Sequence, residues 1–331
     1  MKTINTDYLF RMTDDTGMFQ HGKFGVPDRA YGYTTDDNAR ALLVVVLLYE
    51  KTKEPRYLTL VVRYLSFLLY AREDGWFRNF MRYDRVFEEL EISQDCYGRC
   101  IWALSYVVAA PSLGEDIKNV ARVLVGETKE SRKMFRHLRS RAYTLLGLCN
   151  WEDERYGAEA RQLAQELLEA YAENKKEDWH WYEEKLTSAN AVIPLSLLQY
   201  ALRYKNETAS AVGLESLAFL LKHTIDAQDI FRPIGCNGWY VYGGIRAAYD
   251  EQPIEACKTY LAAKAALQLT KEKHYQEVME ICKAWFFGKN SKQAMLIDEE
   301  TGGCRDGIGE KEINLNMGAE SLLVWLMISL M

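Results

Sequence analysis

Acidic side chains recur at one kind of place along this 331-residue chain, just before or within the first turn of its most apolar segments. Asp36 and Asp37 precede Ala-Arg-Ala-Leu-Leu-Val-Val-Val. Asp95 opens another such run, Asp250, Glu251 and Glu255 surround Gln252-Pro, Glu320 opens Ser-Leu-Leu-Val-Trp, and Glu183 and Glu184 stand ahead of a fifth. A first-turn carboxylate stabilises its helix through the dipole, which alone accounts for any one of them. Several on one rim could do more. Glycoside cleavage needs two carboxyl groups across a cavity, one to protonate the leaving oxygen and one to activate water or attack the sugar. The catalytic pair is therefore sought among Asp37, Asp95, Asp250 and Glu255, with Glu255 as acid and Asp95 as base.

The segments that must position these acids are of two kinds. Runs beginning near Asp36, Ser93, Ser140, Thr187, Pro253 and Asn316 are apolar nearly all round, as buried helices are, and Thr34 and Asp37 have capping-box spacing. Between them lie one-sided stripes: Ala160, Leu163, Ala164, Leu167, Leu168, Tyr171; Ile117, Val120, Ala121, Leu124; Leu214, Leu217, Ala218, Leu221; and Tyr275, Val278, Met279, Cys282. These predict outer amphipathic helices, joined by less clean ones at 57–70 and 5–12. Six inner and six outer helices, repeating at roughly 45 to 65 residues, predict an all-α (α/α)6 toroid of six helical hairpins in a single domain, 1–331.

Links from outer to inner helices are long and rich in aromatic, Gly and charged residues, whereas links from inner to outer are short. In a toroid the long links gather over one end of the central cavity, where function is expected. They carry Trp76, Phe77, Phe80 and Tyr83, then Trp179, Trp181 and Tyr182, then Trp239, Tyr240 and Tyr242. Flat rings beside polar groups can read the apolar faces and hydroxyl edges of a sugar, or the rings can clamp loops onto the barrel. Trp181, Trp239 and Tyr240 are the candidates for sugar contact. Arg29, Arg78 and Arg246 could bind hydroxyls or an acidic substituent, although loop salt bridges are the commoner use. Of five histidines, His137, His223 and His274 are expected on or beside outer helices, leaving His21 and His180 near the cavity, too few for chemistry run by paired imidazoles.

Composition narrows the partners. Forty-eight per cent hydrophobic residues and six prolines exclude a disordered chain, and a net charge of −6 removes the basic footprint that nucleic acid requires. No apolar run reaches the length of a membrane helix and the start has no signal-like stretch, so a soluble, cytoplasmic protein is expected. Seven scattered cysteines read as reduced packing residues, and no metal or other cofactor is expected.

Longer motifs point further. Thr13-Asp-Asp-Thr-Gly-Met-Phe-Gln-His, Gly32-Tyr-Thr-Thr-Asp-Asp-Asn-Ala-Arg-Ala, Asn79-Phe-Met-Arg-Tyr-Asp-Arg, Gln252-Pro-Ile-Glu-Ala, Thr301-Gly-Gly-Cys-Arg-Asp-Gly and Gly318-Ala-Glu-Ser together resemble a little-characterised bacterial family. Its members are often labelled glycosyltransferase because the domain can follow a transferase domain. The resemblance covers nearly the whole chain and implies the six-hairpin toroid of many glycosidases, with a glycosyltransferase as a possible partner. Tyr33, Tyr97 and Gln252, within or beside these motifs, join Asp36, His21 and Glu320 as expected substrate-binding residues. The chain departs from the family pattern at Gln94, Ala189, Leu315 and Met317, where relatives tend to be acidic or polar.

The leading expectation is a hydrolase of small oligosaccharides or glycoconjugates. The departures favour a rival, a carbohydrate-binding or accessory module with reduced catalysis. A third reading is a uronate lyase or isomerase using His21 or His180 with an arginine.

Overall fold

The computed structural model describes residues 4–88, 92–151 and 153–331. Among them the inner helices are α2 (Thr35–Thr52), α4 (Gln94–Ala109), α6 (Leu138–Cys149), α8 (Val192–Tyr204), α10 (Pro253–Thr270) and α12 (Ala319–Leu330). The outer helices are α1 (Asp7–Arg11), α3 (Pro55–Ala71), α5 (Glu115–Glu127), α7 (Gly157–Asn174), α9 (Glu207–Thr224) and α11 (His274–Trp285). Each inner helix packs on the next, and α12 returns to α2, so the inner ring closes. From α3 onward each outer helix lies against the inner helix that precedes it in sequence. No helix among the described residues is long and apolar enough to cross a membrane.

Local chemistry sets the boundaries. Thr34 caps α2 by accepting the Asp37 N–H at 3.1 Å, Ser93 caps α4 through the Cys96 N–H at 3.2 Å, and Pro253 opens α10. Inner helices α4 and α6 approach closely because each presents a glycine to the other. A Cβ on Gly98 would lie 2.7 Å from the Ser140 carbonyl oxygen, and one on Gly147 would lie 2.8 Å from that of Ile101.

Two expectations shift. Helix α8 begins at Val192, not Thr187, because Asn190 folds its own turn first: its Oδ1 accepts the Thr187 N–H at 2.8 Å and its Nδ2 donates to the Thr187 carbonyl at 2.7 Å. Helix α9 is rotated from the stripe seen in sequence. Its buried face carries Ala209, Gly213, Ser216, Leu217 and Leu220, while Ala218 is exposed. The small residues Gly213 and Ser216 let it sit close against Leu198 and Tyr182, so volume outranked hydrophobicity in choosing the face.

Long links gather at the N-terminal ends of the inner helices and tie to one another. Tyr33–Thr34 pairs with Phe80–Met81, Lys185–Leu186 with Tyr240–Val241, and Gly307–Ile308 with Ile313–Asn314. Inner-to-outer links are as short as 53–54 and 205–206. At the opposite end, a cavity of about 390 Å³ lies among Trp102, Leu146, Gln199, Leu261 and Gln268.

Close helix packing gives a paired test by urea denaturation. Gly98→Ala should lower stability by about 2 kcal/mol, because backbone cannot yield to the new methyl. Gly126→Ala in α5, where a Cβ meets nothing within 4 Å, should raise it by about 0.5 kcal/mol.

Candidate active site

One guanidinium organises the loop end of the ring. Arg40, only 4% exposed on α2, donates to Asp37 Oδ1 at 2.7 Å, to Glu320 Oε2 at 2.6 Å and to Asp36 Oδ2 at 3.4 Å. Arg99 on α4 reaches the same Asp36 oxygen at 3.1 Å. Three carboxylates thus share two guanidiniums, leaving one negative charge in excess, and a proton relieves that excess most where water is scarcest. That place is Asp37. Burial and the neighbouring Asp36 and Glu320 push its carboxyl up to about 7, against the opposing pull of Arg40 and of the Thr34 hydroxyl at 2.7 Å.

Above this cluster opens a pocket of about 370 Å³ lined by His21, Asp36, Asp37, Arg40, Asn79, Gln252, Asp306, Asn314 and Glu320, among others. A groove of about 560 Å³ continues from it, sharing Gln252, Asp306 and Asn314 and adding Phe24, Asp250, Glu251, Glu312 and Leu315. Asp306 stands at the junction. Its Oδ1 accepts the Gly318 N–H at 2.6 Å. Burial raises its carboxyl, while that N–H, the Ser321 hydroxyl and the charge of His21 hold the rise back.

Beneath the pocket the axis is filled. Lys258 of α10 is fully buried with its Nζ 4.5 Å from the Trp102 ring centre and 5.4 Å from that of Tyr143, and Arg99 lies 4.7 Å from the Tyr143 ring. These rings hold the cations where few oxygens are available.

Of the expected residues, Asp36, Asp37, His21, Gln252 and Glu320 meet in the pocket and Asp250 lines the groove. Others have structural partners. Glu255 is buried, and its oxygens accept the Ala189 N–H, the Asn190 N–H at 3.2 Å and Asn190 Nδ2 at 3.3 Å. It ties α10 to the turn before α8, and although burial pushes its carboxyl up to about 7, no lining of pocket or groove includes it. Asp95 accepts the Ser140 hydroxyl at 2.7 Å, linking α4 to α6 outside that lining. Tyr33 donates to Asp14 at 2.6 Å and Tyr97 to the Thr128 carbonyl at 2.7 Å, both from buried positions.

Loop aromatics mostly clamp. Trp179 donates to the Glu183 carbonyl and packs on Phe219, Tyr240 and Tyr242; Trp181 is fully buried against Tyr182; and Trp239 is half-buried in its own loop. The three loop arginines act similarly. Arg246 holds the Arg232 and Pro233 carbonyls, Arg78 holds those of Tyr70 and Ala71, and Arg29 lies 5.6 Å from the ring centres of Phe19 and Tyr83. His180 bonds to the Glu177 carbonyl and Glu215, away from the pocket, and His137 precedes the inner helix α6 rather than an outer one. Among the described histidines His21 lines the pocket.

The departures from the family pattern also have local roles. Gln94 Oε1 accepts the Arg136 and His137 N–H groups, Ala189 sits at φ 50° beneath Glu255, Met317 is buried, and Leu315 lines the groove.

Sequence reasoning missed Arg40, Arg99 and Lys258, each a buried or nearly buried cation within an inner helix, and Asp306, the acid of the Gly-rich 301–307 motif. It also missed Phe24, for which spacing gave no signal.

No protein-family model matches the chain, and none of the curated proteins matches it in sequence. Solved structures do. A D-mannose isomerase superposes with a TM-score of 0.77 at 13% identity, over 98% of this chain and 94% of that one. A cellobiose 2-epimerase from Bacillus thermoamylovorans gives 0.72 at 12% identity, over 96% and 95%. A GH76 α-mannanase from Bacteroides thetaiotaomicron gives 0.67 at 10% identity, over 98% and 92%. The fold is the (α/α)6 toroid. At these identities the likeness speaks for the fold, and the chemistry is argued from the pocket.

If Glu255 is a strut, Glu255→Ala should lower unfolding stability by about 3 kcal/mol, because two buried N–H groups lose their acceptor. Glu255→Gln, which keeps one acceptor oxygen, should lose less than half of that in the same denaturation series.

Proposed function

We propose that this protein is a carbohydrate-active enzyme that hydrolyses glycosides, with Asp37 as general acid and Asp306 as the carboxylate that activates water. The observation that carries this is their shared pocket. Two carboxyl groups with different surroundings line one cavity: Asp37 is pressed against an over-subscribed guanidinium, and Asp306 is steadied by an N–H donor and an imidazole. Burial raises both carboxyls, and the Gly318 N–H, the Ser321 hydroxyl and His21 hold the rise back at Asp306, which favours Asp37 as the acid. The same toroid in a mannanase and in sugar isomerases and epimerases supports a sugar as substrate.

In this mechanism the glycosidic oxygen sits over Asp37, whose proton moves to it as the bond to the anomeric carbon breaks. Arg40 then stabilises the carboxylate left behind. Asp306 takes a proton from the attacking water, and Asn79, Gln252 and Asn314 offer amides to the sugar hydroxyls. Asp36 and Glu320 hold Arg40 in place.

A second reading is favoured by one juxtaposition: His21 and Asp306 line the same pocket and His21 acts electrostatically on Asp306, a pair suited to moving a proton between neighbouring carbons of a free sugar. Proton NMR in D₂O of a panel of gluco-, manno- and galacto-oligosaccharides separates the two. Hydrolysis gives new anomeric signals without carbon-bound deuterium, whereas isomerisation gives exchange at carbon.

For the hydrolase, Asp37→Asn and Asp306→Asn should each cut kcat by 10³-fold or more with the fold intact. The sign of the pH dependence follows from the raised carboxyl of Asp37, which carries its proton below about pH 7 and loses it above. Activity should therefore fall on the alkaline side with a midpoint near 7. A flat profile through pH 8 would rule Asp37 out as the acid.

A further inference from the structure

Pocket and groove adjoin at Gln252, Asp306 and Asn314, and together they specify how a sugar chain lies. The pocket ends blindly on Arg40. Below it, Arg99, Tyr143, Lys258 and Trp102 occupy the axis, with Tyr143 and Lys258 fully buried and Trp102 4% exposed. Trp102 forms a wall of the cavity at the far end of the ring, and that cavity shares no lining residue with the pocket. A chain therefore cannot thread the toroid.

The groove is open and carries an apolar edge. Phe24, at the tip of the hairpin that pairs Gly22–Lys23 with Val26–Pro27, is 56% exposed, and Leu315 across the groove is 43% exposed. Phe24 holds a φ of 52°, unusual for a bulky residue, and its N–H donates to Asn316 Oδ1 at 3.0 Å, so the neighbouring loop fixes where the ring stands. An exposed aromatic held in place beside a polar pocket is a platform for the C–H face of a pyranose.

Charge selects the substrate further. Asp36, Asp37, Asp306 and Glu320 line the pocket against Arg40 and His21, and Asp250, Glu251, Asp306 and Glu312 line the groove against Lys23. Anionic sugars are disfavoured at both.

Resting on the carbohydrate reading above, we infer that the site takes the terminal, uncharged ring of an oligosaccharide into the blind pocket. The next rings lie along the groove on Phe24, so the protein releases single sugars from a chain end. The bond that breaks joins the pocket ring to the first groove ring and lies between Asp37 and Asp306. Its leaving oxygen takes the Asp37 proton, and water delivers hydroxyl to the released sugar.

Calorimetric titration tests this with wild type, Phe24→Ala and Phe24→Tyr. The probes are methyl glycosides and tetrasaccharides of the gluco, manno and galacto series, and the same tetrasaccharides with a uronate at the non-reducing or the reducing end. In the series that binds, the tetrasaccharide should bind about tenfold more tightly than the methyl glycoside. Phe24→Ala should remove that difference and leave the methyl glycoside unchanged, Phe24→Tyr should restore it, and a uronate at the end that enters the pocket should abolish binding. The first product from a tetrasaccharide should be a monosaccharide. Equal loss for both ligand lengths in Phe24→Ala, preferred binding of a uronate-capped chain, or a disaccharide as first product would overturn the inference while leaving the carbohydrate reading in place. Failure of every sugar to bind at any length would overturn both.

Discussion

Three carboxylates meet the buried guanidinium of Arg40, with Arg99 reaching one of them, and the closing of the inner ring depends on that arrangement. Arg40 joins Asp36 and Asp37 on α2 to Glu320 on α12, the first and last helices of the inner ring. It therefore fastens the seam where the ring closes, at the end where the long links gather. The same residues line the pocket and leave an excess negative charge that a proton at Asp37 relieves. Fold closure, pocket shape and acid chemistry rest on one side chain, so a change at Arg40 would disturb all three.

Acidic residues at the inner-helix ends divide according to what reaches them. Glu255 and Asp95 stand near helix starts, as Asp37 does, yet their oxygens accept hydrogen bonds from a neighbouring element: from Ala189 and Asn190 in one case, from Ser140 in the other. They hold the ring together between α8 and α10 and between α4 and α6. Asp37 and Asp306 receive donors as well, and they also face open space. Access to the pocket, more than burial or a raised carboxyl alone, separates a candidate acid from a strut: Glu255 and Asp37 are both pushed up to about 7.

The toroid was legible because a helix that is apolar all round has only one place to go in a ring of hairpins, and α2, α4, α6, α10 and α12 start within a few residues of where their patterns begin. Asp36, Asp37, Gln252 and Glu320 were legible as pocket residues for the same reason, since helix ends at one face of a ring must converge. Glu255, sought as the acid, lies outside the pocket lining, since sequence spacing shows that an acid is at a helix start but not whether a turn from another helix caps it. The α9 face was misplaced because Gly213 and Ser216 contribute by being small, which a hydrophobic stripe does not register. Arg40, Arg99 and Lys258 left a partial signal: a cation in a helix otherwise fit for burial requires carboxylates or aromatic rings around it, but Lys264 of α10 is of the same type and is only half-buried. Phe24 left none, because a single exposed ring acquires meaning only when Asn316, distant in sequence, fixes it beside the groove.

The central claim is that burial, with the charges of Asp36 and Glu320 beside it, leaves Asp37 holding a proton near neutral pH despite the pull of Arg40. It is tested most directly by following side-chain carboxyl carbon signals of ¹³C-aspartate-labelled protein through a pH titration, with Asp37→Asn to assign the resonance. The account predicts a midpoint near 7 for Asp37, moving to lower pH in Glu320→Gln, where one competing charge is removed. A midpoint in the ordinary range of about 4, unchanged by Glu320→Gln, would contradict it.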